Sequence, residues 1–249
     1  MKISVVVAVF NGEKTIRSCI DSFLKQTYSE KELIVFDGHS TDSTRSILQQ
    51  YDKEISYWKS EKDSGIADAW NKALKHVTGE WVIFLGADDQ FYSVDVFERM
   101  AAVLKESVAD FVFGQIVFDG GEYEGIRIGK ETTLAELKRK MTFPHTATFN
   151  RVEFLQELGD FDESFKIAID YELVLRKKDL TFSFYNMPIA LMGCEGVSSR
   201  LVKETFKEFR RAQLKNKTDY KVLIYYWYIA NRVKKKLVDL LQSTKRLLL

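Results

Sequence analysis

Acidic and polar side chains follow each of four apolar runs in the first part of the chain. They are Asn11 and Gly12 after the first run, residues 37–42 after the second, residues 61–65 after the third and residues 86–89 after the fourth. A single loop aspartate is most often a turn or helix-capping residue. In an open α/β sheet, however, ligands bind beyond the carboxyl ends of the strands. Repetition at four strand ends therefore favours one carboxylate-rich binding edge.

The pair Asp88 and Asp89 is the candidate site for a divalent cation. Carboxylate oxygens are hard ligands that suit Mg²⁺ or Mn²⁺, and such a cation bridges phosphates that carboxylates alone would repel. The sequence has no GxGxxG after the first run and no GxxxxGK[ST] anywhere. It therefore lacks the glycine-rich phosphate cradles of Rossmann dehydrogenases and P-loop NTPases. We expect a diphosphate to be held through a metal at this pair instead.

Short apolar runs alternate with helix-period segments, and these elements must position the acidic residues. Solid apolar runs predict buried strands, and apolar residues recurring every three or four positions predict helices. The predicted strands are residues 4–10, 33–36, 55–58, 81–85 and 111–118. The predicted helices are residues 16–24, 41–51, 66–77 and 96–104. This alternation predicts an α/β fold with a mostly parallel sheet covered by helices on both faces.

The composition is that of an ordinary globular chain, but the charge is unevenly distributed. Of 249 residues, 45% are hydrophobic and 29% are charged, which excludes a disordered or collagen-like protein. The net charge of +1 hides two parts. Residues 201–249 carry 13 basic and 4 acidic residues, whereas residues 1–200 carry 24 basic and 32 acidic residues. We expect the two parts to have different electrostatic roles.

Cysteine usage and hydropathy predict a cytoplasmic protein. Cys19 and Cys194 are far apart and neither belongs to a CxxC motif, so we expect two buried thiols, no disulfide and no zinc site. The first apolar run follows one lysine and has no small-residue cleavage site behind it, which is typical of a buried strand rather than a signal peptide. The longest apolar run, Val222 to Ala230, is too short to span a bilayer.

Four blocks of the sequence resemble family 2 glycosyltransferases of the GT-A fold. In chain order they are SVVVAVFNGEKTI, DGHSTDST, EKDSGIADAWNKALKHVTGEWVIFLGADD and FDESFKIAIDYELVLR. The resemblance covers about residues 3 to 199. The GIADAWNK core of the third block looks like the branch that builds bacterial surface polysaccharides and lipid-linked oligosaccharides. We therefore expect a GT-A catalytic domain over residues 1–200 and a basic, amphipathic helical segment over residues 201–249.

The resemblance implies which residues hold the donor nucleotide. In the family, the end of the first strand and the aspartate after the second strand hold the base and ribose, which here are Val9, Asn11 and Asp37. An ionised carboxylate only accepts hydrogen bonds, so Asp37 suits the imide N–H of uracil. A UDP-sugar is the expected donor.

The family's aspartate-rich DxD motif, which holds metal and diphosphate, is partial in this chain. Gly86 stands in its first position, so the motif depends on Asp88 and Asp89. We expect this departure to affect one ribose or metal contact and to leave the Mn²⁺ or Mg²⁺ site in place.

The helix predicted over residues 66–77 has a polar face and an apolar face. Asp68, Asn71 and Lys72 are spaced i, i+3 and i+4 and share the polar face. We expect them to line the nucleotide-sugar cleft, with Lys72 near phosphate or paired with Asp68. Ile66 and Trp70 are expected to face the core.

Asp170 is the expected general base. It lies near the start of a predicted helix in KIAIDYELVLR, where a carboxylate would also complement the helix dipole. The resemblance assigns to it the removal of the acceptor hydroxyl's proton during inverting transfer. One carboxylate suffices because the metal supports the leaving diphosphate, whereas a glycosidase needs an acid–base pair. Glu172 is the next candidate for the base.

Three further residues, His145, Glu172 and Ser198, are expected near the sugar or acceptor. His145 follows Pro144 on a predicted strand. A lone histidine is usually structural, but in the resembling branch a Pro-His pair lines the sugar or acceptor pocket. Ser198 lies in GCEGVSSR, where the branch has a glycine-rich segment suited to a flexible lid or a close approach to diphosphate. A plain turn explains that segment equally well.

The resemblance implies an inverting glycosyltransferase. It would move a hexose or N-acetylhexosamine from a UDP-sugar to a hydroxyl of a saccharide acceptor, commonly lipid-linked, in bacterial surface polysaccharide synthesis. A sugar nucleotidyltransferase is an alternative, but resembling enzymes of that class begin with a GxGTR loop, and this chain has Asn11-Gly12-Glu13. A non-catalytic nucleotide or polyanion binder would use the basic tail, but it leaves the acidic edge without a purpose. No nucleic-acid partner is expected.

The basic tail contains a predicted amphipathic helix. Its apolar stripe is formed by Tyr226, Ile229, Val233, Leu237 and Leu240 or Leu241. The stripe packs on the catalytic domain in one interpretation. In the other, residues 220–246 lie on an anionic membrane surface, because aromatic side chains suit the headgroup level and basic residues attract anionic lipids. The protein would then be peripheral on the inner face of the plasma membrane.

Overall fold

The structure is a computed structural model that describes residues 1–193 and 202–247, without the side chains of Glu122, Val202 and residues 235–247. Its strands are β1 (Ile3–Val9), β2 (Lys31–Asp37), β3 (Tyr57–Ser60), β4 (Trp81–Gly86), β5 (Gln90–Phe91), β6 (Phe111–Asp119), β7 (Arg127–Ile128), β8 (Thr148–Arg151) and β9 (Phe182–Gly193). Its helices are α1 (Ile16–Leu24), α2 (Thr44–Gln50), α3 (Ile66–Leu74), α4 (Val96–Glu106), α5 (Leu134–Arg139), α6 (Val152–Leu158), α7 (Ile169–Val174), α8 (Val202–Lys215) and α9 (Lys221–Leu247). The predicted α/β class is confirmed, with β3 two residues later than predicted.

The amino-terminal half of the sheet is parallel and brings its strand ends to one edge. The described strands are ordered β3-β2-β1-β4-β8-β6-β9-β5, with β7 paired to β6. In β1 and β2, Val9 pairs with Asp37, and Asp37 in turn pairs with Ser60 of β3. On the other side of β1, Ala8 pairs with Gly86 at the end of β4. The loops after these strands therefore open at the same edge.

The second half of the sheet is mixed. β8 is antiparallel to both β4 and β6, and β5 is antiparallel to β9, whereas the long strand β9 runs parallel to β6. The apolar runs could not reveal these directions, because an interior strand is buried on both faces in either orientation. The parallel pairing of β6 with β9 ends where Asp119 meets Gly193, so β9 also delivers its carboxyl end to the binding edge.

Two apolar cores cover the two faces of the sheet. Alternate residues of β1 point to opposite faces, so Val5 and Val7 join the core formed with α1, α2 and α4, whereas Val6 joins the core formed with α3, α6 and α7. These side chains are fully buried. The prediction of helices on both faces is confirmed.

The two carboxyl-terminal helices pack one on the other, and α8 connects them to the rest of the fold through α7. α8 packs on α7 and buries Ala212 and Gln213. Its Glu208 carboxylate accepts hydrogen bonds from the backbone N–H groups of Ile167 and Ala168. α9 packs on α8 and buries Ile224. The domain boundary at residue 200 stays a prediction. None of the helices in the described residues is long and apolar enough to span a membrane.

The segment that precedes β8 differs from its sequence prediction. His145 begins a short 3-10 turn, His145–Ala147, and the prediction of a strand at this residue is wrong. The turn forms because the Pro144 carbonyl accepts hydrogen bonds from Ala147 N and Thr148 Oγ1, which curls the backbone before β8 begins.

Candidate functional site

A cavity of about 810 Å³, the strand-end cavity, opens at the carboxyl ends of β1, β4 and β6. Its lining includes Asn11, Lys14, Asp88, Asp119 and Gly193. Lys14 is the one cation among the described residues of this lining. An anionic ligand therefore meets mostly carboxylates here and requires a counter-cation.

Asn11 joins the ends of β1 and β2 at the floor of the strand-end cavity. Its backbone has a φ of 51°, a left-handed conformation that asparagine tolerates better than most residues. Asn11 N donates to Ser40 Oγ at 2.7 Å, and Asn11 Oδ1 accepts from Thr41 N at 2.9 Å. Val9 is buried directly before it, and the Val9 carbonyl accepts from Gly38 N at 2.8 Å. The predicted base-binding turn is thus a rigid, hydrogen-bonded structure.

Asp37 lies buried at the end of β2, beneath that turn. Its carboxylate accepts hydrogen bonds from Ser40 N at 3.1 Å and Ser60 Oγ at 2.5 Å, and also from Ser40 Oγ. These partners fix the carboxylate, and the side chain does not line the strand-end cavity. Its predicted contact with the base stays a prediction.

Asp88 and Asp89 differ sharply in their surroundings. Asp88 lines the strand-end cavity. Asp89 is buried, and its two oxygens accept from Gly86 N and Gly193 N, each at 3.0 Å. Burial, with a smaller contribution from Asp88, raises the pKa of Asp89 to about 7. Asp89 therefore ties the end of β4 to the end of β9, and Asp88 is the carboxylate of the pair that faces the strand-end cavity.

These residues fit a Mg²⁺ or Mn²⁺ ion that is shared with a phosphorylated ligand. No cluster of three or more metal-ligating side chains occurs in residues 1–193 and 202–247. Mg²⁺ in enzymes is commonly held by only one or two carboxylates, together with waters and substrate phosphates. Asp88 supplies such a carboxylate, and Asp89 could contribute a second only if an oxygen gave up its backbone partner.

The polar face of α3 is only partly what the sequence predicted. Lys72 Nζ lies 3.1 Å from Asp68 Oδ2 and 3.2 Å from Glu61 Oε1, so the predicted pairing of Lys72 with Asp68 is present. Neither residue lines the strand-end cavity. Asn71 is buried, and its amide donates to the Phe161 carbonyl and accepts from Phe161 N. The prediction that Asn71 lines the cleft is therefore wrong, because the helix uses it to anchor the chain at Phe161.

The apolar face of α3 also differs from the prediction. Ile66, expected in the core, is 37% exposed. The helix instead buries Ala67, Ala69 and Ala73, because it lies close against β1 and β2, where only small side chains fit. Trp70 packs against the core, as expected, and also lines a second cavity.

This second cavity, the aromatic cavity, has a volume of about 380 Å³. Trp70, His145 and Asp170 line it, together with Met141, Phe143, Met192 and Phe209. Met192 lines the aromatic cavity and the next residue, Gly193, lines the strand-end cavity. Consecutive residues at the end of β9 therefore line the two cavities.

Asp170 and His145 form a mostly buried pair in the aromatic cavity. Asp170 stands in the first turn of α7, as predicted, and its Oδ2 lies 3.5 Å from His145 Nδ1. Burial raises the pKa of Asp170, and the adjacent imidazole partly opposes this rise. Burial also lowers the pKa of His145. Both shifts favour the neutral form of the group, a perturbation that is common at sites of proton transfer. The pair is therefore a candidate to exchange a proton with a hydroxyl that enters the cavity.

The His145 ring is held by aromatic neighbours. Its centroid lies 4.7 Å from that of Trp70 and 5.2 Å from that of Phe84. Its Nε2 is buried and has no hydrogen-bond partner in the described part of the chain. The imidazole is therefore fixed in orientation toward Asp170 and keeps one unsatisfied nitrogen inside the cavity.

The remaining predicted site residues lie elsewhere. Glu172 is fully buried and lines neither cavity. It lies 2.6 Å from Arg176 Nη2 and 2.8 Å from Lys215 Nζ, and the first of these cations chiefly holds its pKa below the usual range against the cost of burial. It therefore joins α7 to α8. Ser198 lies outside the described residues, as does Cys194, whereas Cys19 is buried as predicted.

Sequence reasoning missed Trp70, Lys14 and Asp119 as cavity residues. Trp70 is expected in the core because tryptophan is mostly apolar, and nothing in its position on the helix marks it as a cavity residue. Asp119 follows an apolar run, β6, as the other acidic residues do, so the same strand-end pattern could have found it. Lys14 had no pattern that distinguished it from a solvated lysine.

Comparison with known proteins gives a family match and several relatives. The family model described as Glycosyl transferase family 2 matches residues 4–169, so it ends one residue before Asp170. A PGL/p-HBAD biosynthesis glycosyltransferase of Mycobacterium tuberculosis is 29% identical over 177 residues, which are 70% of this chain and 68% of the relative. WfgD of Escherichia coli, a UDP-Glc:alpha-D-GlcNAc-diphosphoundecaprenol beta-1,3-glucosyltransferase, is 35% identical over 113 residues, which are 45% of this chain and 44% of the relative.

Among solved structures, S. aureus TarS 1-349 in complex with UDP-GlcNAc has a TM-score of 0.70 to this chain. The two are 22% identical, and the alignment covers 85% of this chain and 66% of that one. This likeness shows the fold, so the predicted GT-A fold is confirmed. The chain spans less than two thirds of the length of that structure.

Replacement of Asn71 by alanine is predicted to weaken the fold while leaving UDP affinity nearly unchanged. The substitution leaves two buried backbone groups of Phe161 unpaired, so the free energy of unfolding should fall by about 2 kcal/mol or more. The control is Lys72→Ala, which removes a partly exposed ion pair and should cost less than about 1 kcal/mol. Urea unfolding and calorimetric titration with UDP measure the two quantities. A large loss of UDP affinity with normal stability in the Asn71 variant would return this residue to the cleft.

Proposed function

This chain belongs to glycosyl transferase family 2, and from that premise we propose that it is an inverting glycosyltransferase acting on a nucleotide-diphosphate sugar. The proposed reaction moves a hexose or N-acetylhexosamine from a UDP-sugar to a hydroxyl group of a saccharide acceptor. The observation that carries the proposal is that consecutive residues at the end of β9, Met192 and Gly193, line two cavities of different chemistry. One cavity offers a carboxylate edge for a metal-bound diphosphate, and the other offers a buried carboxylate for proton removal.

Asp170 is the proposed general base. When the acceptor hydroxyl lies in the aromatic cavity, the Asp170 carboxylate takes its proton as the oxygen attacks the anomeric carbon. The bond from that carbon to the diphosphate breaks on the opposite face, so the configuration inverts. The raised pKa of Asp170 favours this role, because a carboxylate with a higher pKa is a stronger base than an exposed one.

His145 is proposed to position Asp170 and the acceptor. Its ring is fixed by Trp70 and Phe84, and its Nδ1 faces Asp170 at 3.5 Å. The unpartnered Nε2 is available to a sugar hydroxyl. Trp70 gives the cavity an aromatic wall against which the apolar face of a sugar ring can pack.

The donor nucleotide is proposed to bind across the ends of β1 and β2. Val9, Asn11 and Asp37 form this rigid turn, and an acceptor-only carboxylate suits the imide of uracil. Asp37 is accessible to a base only if the ligand displaces or joins its serine partners. Asp68 and Lys72 lie further along the same edge, where the ion pair would have to open for Lys72 to meet a phosphate.

Asp88 is the proposed main protein ligand of a Mn²⁺ or Mg²⁺ ion, with Asp89 beside it. When bound, the cation neutralises charge on the leaving diphosphate. Asp88 would hold the cation in the strand-end cavity, and Asp89 keeps the loop that carries Asp88 attached to β9. Because the rim of the cavity is acidic, a bare diphosphate would be repelled there.

The acceptor is proposed to be a lipid-linked saccharide in bacterial surface polysaccharide synthesis. WfgD, a relative over less than half of this chain, has a diphosphoundecaprenol-linked acceptor in its name. TarS, which shares the fold, binds UDP-GlcNAc. Both support a nucleotide-sugar donor, and the former supports the acceptor class. The identity of the sugar depends on contacts of the aromatic cavity.

Membrane attachment through residues 220–246 is part of this proposal. Four apolar side chains on the outer face of α9 are exposed: Val222 at 79%, Tyr226 at 59%, Ile229 at 58% and Val233 at 51%. In these described residues the stripe therefore does not pack on the catalytic domain, and α9 uses another face, with Ile224 and Trp227, for that purpose. An exposed apolar stripe beside basic residues suits an anionic membrane surface on the cytoplasmic side.

Replacement of Asp170 by asparagine is predicted to lower kcat by roughly 10²-fold or more with donor affinity nearly kept. The shape of the side chain stays and only the base is lost. The control is Asp160→Asn, an exposed carboxylate nearby in the sequence. In the unsubstituted protein, kcat/KM should fall as the pH drops through the raised pKa of Asp170, because the proton then occupies the base. Near-normal turnover of the asparagine variant would move the base to another residue.

Metal removal is predicted to abolish transfer, and Mn²⁺ is predicted to restore it. UDP should bind at least about tenfold more tightly with Mn²⁺ than in EDTA, and Asp88→Asn should remove that difference. Asp89→Ala should weaken UDP binding only in the presence of metal and should also destabilise the protein, because two backbone N–H groups lose their acceptor. Asp179→Asn, which changes an exposed carboxylate, is the control. Full activity in EDTA would contradict metal dependence.

Replacement of Ile229 and Val233 by glutamine is predicted to reduce membrane binding. Co-sedimentation with phosphatidylglycerol-containing vesicles should recover the unsubstituted chain at low salt, and less of it at high salt or with neutral vesicles. The double variant should stay largely in the supernatant. The control is Val94→Gln/Val108→Gln, which changes two exposed valines outside α9. Equal recovery of all three proteins would reject docking through this stripe.

A further inference from the structure

A third cavity, the tail cavity, lies between the end of α5 and the helices α8 and α9. Its volume is about 340 Å³, which is within the range of small-molecule sites. The strand-end and aromatic cavities account for the donor and the attacking hydroxyl, so the tail cavity has no part in the function proposed above.

The rim of the tail cavity is strongly basic. Arg139, Lys140, Arg210 and Lys234 line it, and no carboxylate does. In the part of the chain that the structure describes, none of these four cations has an acidic side chain within ion-pair distance. Arg139 and Arg210 instead stack on aromatic rings, the first on Trp227 at 4.7 Å. Four unneutralised cations around one cavity indicate an anionic ligand, because like charges brought together without a counter-ion repel each other.

The floor of the tail cavity is apolar. Met141, Phe206, Phe209 and Tyr228 form it. Its buried amide, Gln213, already donates to Lys138 O at 2.9 Å and to Tyr171 Oη at 3.1 Å. The floor therefore offers hydrocarbon and aromatic surface that an apolar ligand can cover. It offers few free polar groups that could form hydrogen bonds with a nucleotide base. An anion with a hydrocarbon chain matches both the rim and the floor.

The tail cavity lies next to the aromatic cavity. Met141 and Phe209 line both. The chain also runs directly from the rim residues Arg139 and Lys140 to Pro144 and His145. A ligand whose anionic group lies in the tail cavity would therefore place the group attached to that anion next to Asp170.

We propose that the tail cavity binds the diphosphate and the adjoining hydrocarbon of a lipid-diphosphate-linked acceptor, so that the acceptor's sugar enters the aromatic cavity. The inference rests on the proposed function and adds to it the acceptor's charged class and the residues that recognise it. The four cations hold the diphosphate, and the aromatic floor packs against the first part of the lipid chain. The donor diphosphate binds separately, at the acidic strand-end cavity.

Binding of farnesyl diphosphate tests the site without any transfer reaction. Calorimetric titration in EDTA, which excludes metal-dependent binding at the strand-end cavity, should detect binding of this probe. Arg139→Gln/Lys140→Gln should weaken it at least about tenfold, since hydrogen bonds between charged groups are stronger than those between neutral groups and two cations are lost. Both residues are exposed and lie outside the apolar stripe of α9 that is proposed to dock on the membrane. The matched control is Arg45→Gln/Lys53→Gln, two exposed cations outside the cavity, which should bind the probe normally.

Three further ligands decide what the site recognises. Farnesol tests the hydrocarbon alone, inorganic diphosphate tests the anion alone, and soluble dihexanoyl-phosphatidylglycerol tests a membrane phospholipid. Each should bind at least about tenfold more weakly than farnesyl diphosphate. No binding of farnesyl diphosphate, equal binding by the Arg139/Lys140 variant, or equal binding of phosphatidylglycerol would overturn the proposal.

Transfer kinetics separate this inference from the proposed function. Two acceptors are compared that carry the same sugar, one on a prenyl diphosphate and one on a neutral octyl glycoside. The Arg139/Lys140 variant should raise KM about tenfold or more for the diphosphate acceptor only, with kcat and donor KM unchanged. Equal KM changes for both acceptors would overturn the inference while transfer itself persists. Charge-dependent binding of farnesyl diphosphate without any sugar transfer would instead reject the proposed function.

Discussion

The parallel register of β1 with β2 and β4 is the constraint on which the other features of the site depend. It sets Val9 beside Asp37 and Ala8 beside Gly86, so that the loops after three strands leave the sheet at the same level. A shift by one residue would turn every core side chain of β1 to the opposite face. Since both faces of β1 are buried in separate apolar cores, the core fixes the register, and the register in turn assembles the strand-end cavity.

The position of Asp170 depends on a helix that lies far from it in the sequence. α7 is a short helix, and the chain before it makes few backbone pairs of its own. Glu208 of α8 accepts hydrogen bonds from three consecutive backbone N–H groups of that chain, those of Lys166, Ile167 and Ala168. Lys215 of the same helix pairs with the buried Glu172. The carboxyl-terminal segment is therefore part of the machinery that places the proposed base, in addition to any role in binding a lipid or a membrane.

The separation of charge along the chain gains a structural meaning from the three cavities. The acidic amino-terminal part lines the strand-end cavity, which is the proposed site of a metal-bound donor diphosphate. The basic tail contributes Arg210 and Lys234 to a cavity that has cations and no carboxylate. If both proposals hold, two anionic groups bind without competing, because the acidic cavity accepts one only with a metal ion and the basic cavity favours one that carries a hydrocarbon chain.

The sequence by itself determined the α/β class, the acidic strand ends that meet at one edge, and Asp170 at the start of a helix. These features follow from local rules, since apolar periodicity and the residues after each run are encoded within short segments. The tertiary structure decided which polar residues face a ligand. By position in the sequence, Asn71 looks as close to the cleft as Asp68, and Asp89 as close as Asp88. In the structure, however, Asn71 anchors Phe161 and Asp89 holds the end of β9. Two further features could not be predicted from the sequence: the tail cavity and the pair formed by His145 and Asp170. Both join segments that approach each other only when the sheet and its helices have packed.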